Sequence, residues 1–197
     1  MIHYTSPYSI EKDIGKAYNQ AMKHLNQDDW MCFTDADLMF LTSDYGHQIQ
    51  DIVNLYPDTG LFTCLTNRIG NREQQYNNFI NEDPNILNHR RIALQLQREK
   101  RTQVIETKIV ISGMLFLIKK STWDKIYGAP EGKGLLTVDN HIAKRVLQIG
   151  MKIRIMQGVY VFHFYRLDTN KDNVSHLAVN GEVTQTRYRR VRRAFNQ

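Results

Sequence analysis

Trp30-Met31-Cys32-Phe33-Thr34-Asp35-Ala36-Asp37 is the stretch on which the fold turns. Four consecutive apolar residues without polar alternation describe a strand covered on both faces, as in layered α/β domains. Working outward, residues 2–5 alternate as a short first strand that Pro7 and Ser9 bring to a stop. Residues 12–25 carry Ile14, Ala17, Tyr18, Ala21, Met22 and Leu25 at helical spacing. On the other side, Ile49, Ile52, Val53 and Tyr56 mark a helix over 44–56, and residues 61–65 are a second buried strand. Strand, helix, strand, helix, strand predicts an α/β single domain, a mixed, mostly parallel sheet flanked by helices.

The composition agrees. A chain of 197 residues with 42% hydrophobic and 23% charged residues is an ordinary globular domain, which excludes fibrous and disordered classes. Cys32 and Cys64 both sit in apolar runs and read as buried free thiols rather than a disulfide framework. No apolar run reaches the ~18–20 residues of a membrane span. The first residues lack a basic-then-apolar leader profile, so the expected location is cytoplasmic, with peripheral membrane contact left open.

Beyond residue 66 the chemistry changes. Residues 67–108 are rich in Asn, Gln and Arg, and read as a mobile excursion with one helix over 86–99, on the acceptor side of any active site. Strand chemistry returns over 104–118, with Gly113 inside the run, where a glycine marks close backbone approach. Ser121-Thr122-Trp123 opens a short helix, residues 128–134 are a Gly/Pro loop, and 137–149 are an amphipathic helix stopped by Gly150. Residues 152–165 read as two short strands broken at Gln157-Gly158, and residues 167–197 as a polar, basic extension.

The chemistry concentrates at Asp35 and Asp37. Ligands of open α/β sheets bind beyond the carboxyl ends of strands. Two carboxylates one residue apart at such an end cannot both enter the core. Hard cations such as Mg²⁺ or Mn²⁺ take oxygen ligands, often one or two from protein and the rest from phosphates and water. A turn with two solvated carboxylates has the same sequence appearance.

Several pieces together resemble the family 2 glycosyltransferases of GT-A fold, in a form with a short N-terminal nucleotide-binding half. They are Ile14-Gly15-Lys16-Ala17-Tyr18-Asn19, Asp28-Asp29-Trp30, Phe33-Thr34-Asp35-Ala36-Asp37, residues 111–118, Val138-Asp139-Asn140-His141 and His163-Phe164-Tyr165-Arg166. The resemblance covers residues 1–166. It implies transfer of a sugar from a nucleotide-diphosphate sugar, a uridine diphosphate sugar foremost, to an acceptor hydroxyl on a glycan, lipid-linked or nucleic-acid acceptor, with inversion. It implies Asp37 and Asp35 as donor-site residues and metal ligands for Mn²⁺ or Mg²⁺, with His163 as a third ligand and Asp35 facing the ribose or the water shell of the metal. Taken alone, His163 in its apolar run is more often a hydrogen-bonded core histidine. It implies Asp139 as the catalytic base; on helix chemistry alone, Asp139 is an N-cap. Thr5, Ser6, Pro7, Lys16, Asn19, Ala36 and Gly113 would line the donor site. Arg68, just past a strand end, reads as a solvated surface residue or as one that meets phosphate or acceptor.

Net charge supplies a rival. Arg187, Arg189, Arg190, Arg192 and Arg193 account for five of the formal net +6, and Tyr188 and Phe195 lie among or beside them. Such a tail suits nucleic-acid phosphates and bases or anionic lipid. A nucleic-acid-binding or nucleic-acid-modifying protein, or a non-catalytic sugar-nucleotide binder, are the alternative readings.

Overall fold

The computed structural model describes residues 1–164. The basic extension, including Arg187, Arg189, Arg190, Arg192 and Arg193, lies outside the described residues.

The strands are β1 (Ile2–Thr5), β2 (Trp30–Thr34), β3 (Leu38–Phe40), β4 (Thr59–Thr66), β5 (Val104–Thr107), β6 (Leu115–Lys119) and β7 (Lys152–His163). The helices are α1 (Ile14–Met22), α2 (Tyr45–Leu55), α3 (Ile86–Lys100), α4 (Lys120–Lys125) and α5 (Val138–Gln148), with two 3₁₀ turns at Arg72–Gln74 and Tyr76–Asn78. Among the described residues all seven strands form one sheet in the order β1-β2-β6-β4-β7-β3, while β5 also pairs with β7. β1, β2, β4 and β7 share one direction, and β3, β5 and β6 oppose it. Because β6 lies between β2 and β4, two same-direction strands meet through an antiparallel neighbour. The sheet curls enough that Tyr4 on β1 and Phe40 on β3 bring their rings within 6.2 Å.

Both faces are covered. Met31 and Phe33 of β2 point toward α1 and α5, in a core shared with Tyr18, Phe116, Trp123, Ile142 and Val146. Trp30 and Cys32 point the other way, toward Ile49, Ile52 and Val53 of α2. The unbroken apolar run of β2 is thus explained by burial on two sides. α3 lies over β7, setting Ala93 and Leu96 against Leu65, Ile155, Tyr160 and Phe162. Cys32 and Cys64 are free and buried, as expected. Among the described residues, no helix is long and apolar enough to cross a membrane.

Several expectations are corrected. The 104–118 run is two strands, β5 and β6, separated by a loop that includes Gly113. That loop bonds to side chains instead of a strand: Asn71 Nδ2 donates to Val110 O, and Gln74 accepts from Ser112 N while donating to Ser112 O. Residues 152–163 form one strand. The break expected at Gln157-Gly158 is a bulge, where Cys64 pairs with Met156 but the next residue, Leu65, pairs with Tyr160. Gln48 Nε2 fills the kink by donating to Gly158 O and Arg101 O. The 67–108 segment is a packed part of the domain rather than a mobile excursion: Asn71, Gln74, Gln75 and His89 are buried within it. β3 was not anticipated, because three residues are too few to show a period.

Phe33 packs its ring against Tyr18, Phe116 and Trp123 at centroid distances of 4.6, 5.0 and 5.9 Å. Phe33→Ala removes the hub of this cluster. It is expected to cost about 3–5 kcal/mol, read as a lower denaturant midpoint with little change in m-value.

Candidate functional site

β2 delivers the two carboxylates to the edge of the sheet. Asp35 N donates to Met114 O at 2.7 Å, which extends the β2–β6 ladder by one residue. Asp37 O then accepts from Phe164 N at 2.9 Å, and Leu38 pairs with His163. The chain therefore passes from the end of β2 directly onto the end of β7, carrying Asp37 to His163.

His163 Nε2 lies 3.3 Å from Asp37 Oδ1 and 3.6 Å from Asp35 Oδ2. One ligand atom from each of the three residues falls within 4.8 Å of the others. A cation with bonds of about 2.1 Å sets adjacent octahedral ligands roughly 3 Å apart, so small side-chain shifts would close this set around one ion. The ring orientation fits as well. Nδ1 donates to Arg68 O at 3.0 Å, and since a carbonyl can only accept, Nε2 is the nitrogen left facing the carboxylates: protonated, the ring donates from it to Asp37, and neutral, it offers a lone pair to a cation held between them. His163 is only 2% exposed, whereas Asp35 and Asp37 reach solvent. The donor set, two carboxylates and one imidazole on an open edge, suits Mn²⁺ or Mg²⁺ with water or phosphate completing the shell.

The electrostatics reflect crowding of negative charge. Withdrawal from water, then the charges of Asp37 and Asp139, raise the Asp35 pKa above the usual carboxylate range, against the opposing pull of His163. Burial disfavours charge on His163, but the hydrogen bond and charge of Asp37, with the charge of Asp35, outweigh it and raise its pKa.

Asp139 comes from α5. The cap of α5 is Thr137, held in the left-handed region at φ 71°, so Asp139 is not the N-cap but lies in the first turn. Its Oδ1 accepts from Asn140 N and its Oδ2 from Gly113 N, both at 2.8 Å. Loss of water raises its pKa, while those backbone donors pull it down. Gly113 is the point of contact: a Cβ there would stand 2.8 Å from Asp139 Cβ. The close approach read into this glycine is thus an approach of Asp139. The Tyr18 phenol, buried on α1, has its pKa driven up by burial and by the charges of Asp35 and Asp139.

The remaining residues divide. Thr5 and Ser6 join the end of β2, since Thr34 Oγ1 donates to Thr5 O and is hydrogen-bonded to Ser6 Oγ at 2.7 Å. Pro7 follows them, and Ala36 lies between the two carboxylates. Lys16 instead pairs with Glu11 at 2.8 Å. Asn19 is occupied by the 128–134 loop: its Nδ2 donates to Ala129 O and Glu131, and its Oδ1 accepts from Ala129 N. Arg68 is not a solvated surface residue. It is 8% exposed, its guanidinium lies 3.6 Å from Glu82, and its carbonyl holds His163. Asn67 was missed. It is fully buried and bonds to both main-chain groups of His163. Its sequence signal is the one that marked Asp35: a polar group directly after a buried strand.

No family model matches this chain, and neither does any curated protein.

Gly113→Ala is expected to force Asp139 away from its backbone donors at a cost of about 1–3 kcal/mol. A thermal melt checks the stability, and loss of slow hydrogen exchange at the residue 113 amide checks the displaced carboxylate.

Proposed function

We propose that this protein is a metal-dependent glycosyltransferase of GT-A-like architecture, moving a sugar from a nucleotide-diphosphate sugar to an acceptor hydroxyl with inversion. The observation that carries this reading is the convergence of Asp35, Asp37 and His163 at the carboxyl ends of the strands, with Asp139 bonded to Gly113, the residue before the Met114 that pairs with Asp35.

Asp35, Asp37 and His163 would hold Mn²⁺ or Mg²⁺, which when bound neutralises charge on a departing diphosphate. Thr5, Ser6 and Pro7, at the end of β1, would flank the nucleoside. Asp139 would take the proton of the acceptor hydroxyl as its oxygen attacks the anomeric carbon and the nucleoside diphosphate leaves. Two backbone donors fix the direction of that carboxylate, while each oxygen keeps lone-pair capacity for the incoming proton. Burial makes it a stronger base than a solvated aspartate.

A thermal-shift screen of nucleotide-diphosphate sugars with and without Mn²⁺ tests the donor class. Ligand at 100 times its dissociation constant adds about 2.7 kcal/mol, or roughly 5–10 °C for a domain of this size. The stabilisation should require Mn²⁺ and disappear in Asp37→Ala; a metal-independent response, or none, overturns the reading.

Asp139→Asn should keep donor binding while transfer falls by about 10²–10⁴-fold. The active form of Asp139 is the carboxylate and its pKa is raised. Wild-type kcat/KM should therefore be present at neutral pH and lost as pH falls through a value above the ~3.9 of an ordinary aspartate. A pH–rate profile of both proteins measures this, and an unchanged acid limb in the variant excludes Asp139 as the base.

A further inference from the structure

We infer that Asn67 is the positioning residue of the Asp35–Asp37–His163 cluster, acting through His163; the inference rests on the metal-dependent reading above. His163 is the last residue of β7, where strand pairing alone would let the chain fray. Its neighbour on one side is the short β3, through Leu38. On the other side β4 has already ended at Thr66, which pairs with Val161. Asn67 continues that ladder with a side chain. Oδ1 accepts from His163 N at 2.8 Å and Nδ2 donates to His163 O at 3.3 Å. One carboxamide thus engages both main-chain groups of His163, as the backbone of a paired residue would.

Neighbouring groups make this arrangement specific. The amide orientation is set by His163 itself, whose N–H can only donate and whose carbonyl can only accept, and Thr66 Oγ1 holds it further by donating to Asn67 Oδ1 at 3.1 Å. Asn67 O accepts from Asn81 N at 2.9 Å, so the main chain of Asn67 is held as well. Arg68 O accepts a hydrogen bond from His163 Nδ1. Residues 67 and 68 therefore fix the backbone position and the ring rotation of His163 together, with Nε2 directed at the carboxylates. No hydrophobic residue of similar volume provides this, and aspartate lacks the donor for His163 O.

Supporting groups of this kind alter metal affinity by about 10–100-fold when removed. The test is a Mn²⁺ titration of the full chain, followed by electron paramagnetic resonance of the free ion, alongside melts of the metal-free proteins. Wild type, Asp37→Ala, Asn67→Leu and Thr66→Val are compared. Asn67→Leu should weaken Mn²⁺ binding about 10–100-fold. If that variant does not fold, Thr66→Val decides: it keeps the bonds to His163 but releases the amide, and should weaken binding about 2–10-fold with the metal-free melt nearly unchanged. Absence of Mn²⁺ binding by wild type overturns both the metal-dependent reading and this inference. If wild type binds, Asp37→Ala does not, and the variants at 66 and 67 bind like wild type, this inference alone fails. A lowered metal-free melt with unaltered Mn²⁺ affinity likewise makes Asn67 merely structural and overturns it.

Discussion

Alignment of the ends of β2, β4 and β7 is the constraint on which the rest of the structure depends. β6 sets it from the middle of the sheet. Its antiparallel pairing with β2 and β4 puts Thr34 opposite Leu115 and Phe62 opposite Leu117, and Thr63 Oγ1 donates to Leu115 O at 2.7 Å. The chain entering β6 passes the same level, so Met114 meets Asp35 and Gly113 meets Asp139. Parallel pairing of β4 with β7 then brings Asn67 to His163. The chemistry of the site is a consequence of strand lengths that terminate together. A sheet packed on both faces makes those lengths hard to change, because a slip of one residue reverses which side chains face each layer.

The amide-rich segment after β4 supports this edge. Strand ends leave backbone groups that must be satisfied if they are buried. Asn71 donates to Val110 O, Gln74 bridges Thr63 and both main-chain groups of Ser112, and Gln75 donates to Ile69 O. Each amide does for a loop what a neighbouring strand would do for a ladder. The high Asn and Gln content is therefore a property of a packed structure that has run out of strands, and it resembles a solvated segment only in composition. Arg68 follows the same rule: its side chain is covered and faces Glu82, while its carbonyl serves the imidazole.

Much of this was legible beforehand. The unbroken apolar runs at 30–33 and 61–65 announced strands covered on both faces, and the helices over 44–56, 86–99 and 137–149 followed from their apolar spacing, each within a residue or two of α2, α3 and α5. Asp35 and Asp37 stood out because carboxylates directly after a buried strand have nowhere apolar to go. The failures share a cause. β3 is too short for a period, and the bulge in β7 presents a polar Gln-Gly pair indistinguishable from a turn. Gly113 looked like part of a strand because it lies within a mostly apolar run, although its amide donates to Asp139. The cap of α5 is Thr137 in a left-handed conformation, which residue type alone does not announce. For β3, the bulge and Gly113 the deciding partner lies far away in the chain.

The sequence by itself determined which segments must be buried, their helical or extended character, and the placement of two acids beyond a strand, because these follow from local periodicity and the cost of burying charge. Only the tertiary structure decided that β6 divides the parallel strands, that β3 closes onto β7, and that His163 meets Asp35 and Asp37 while Asn67 secures it across a separation of 96 residues. Local patterning states what a segment needs to bury. Which remote segment satisfies that need is settled by packing and hydrogen bonding among all of them at once.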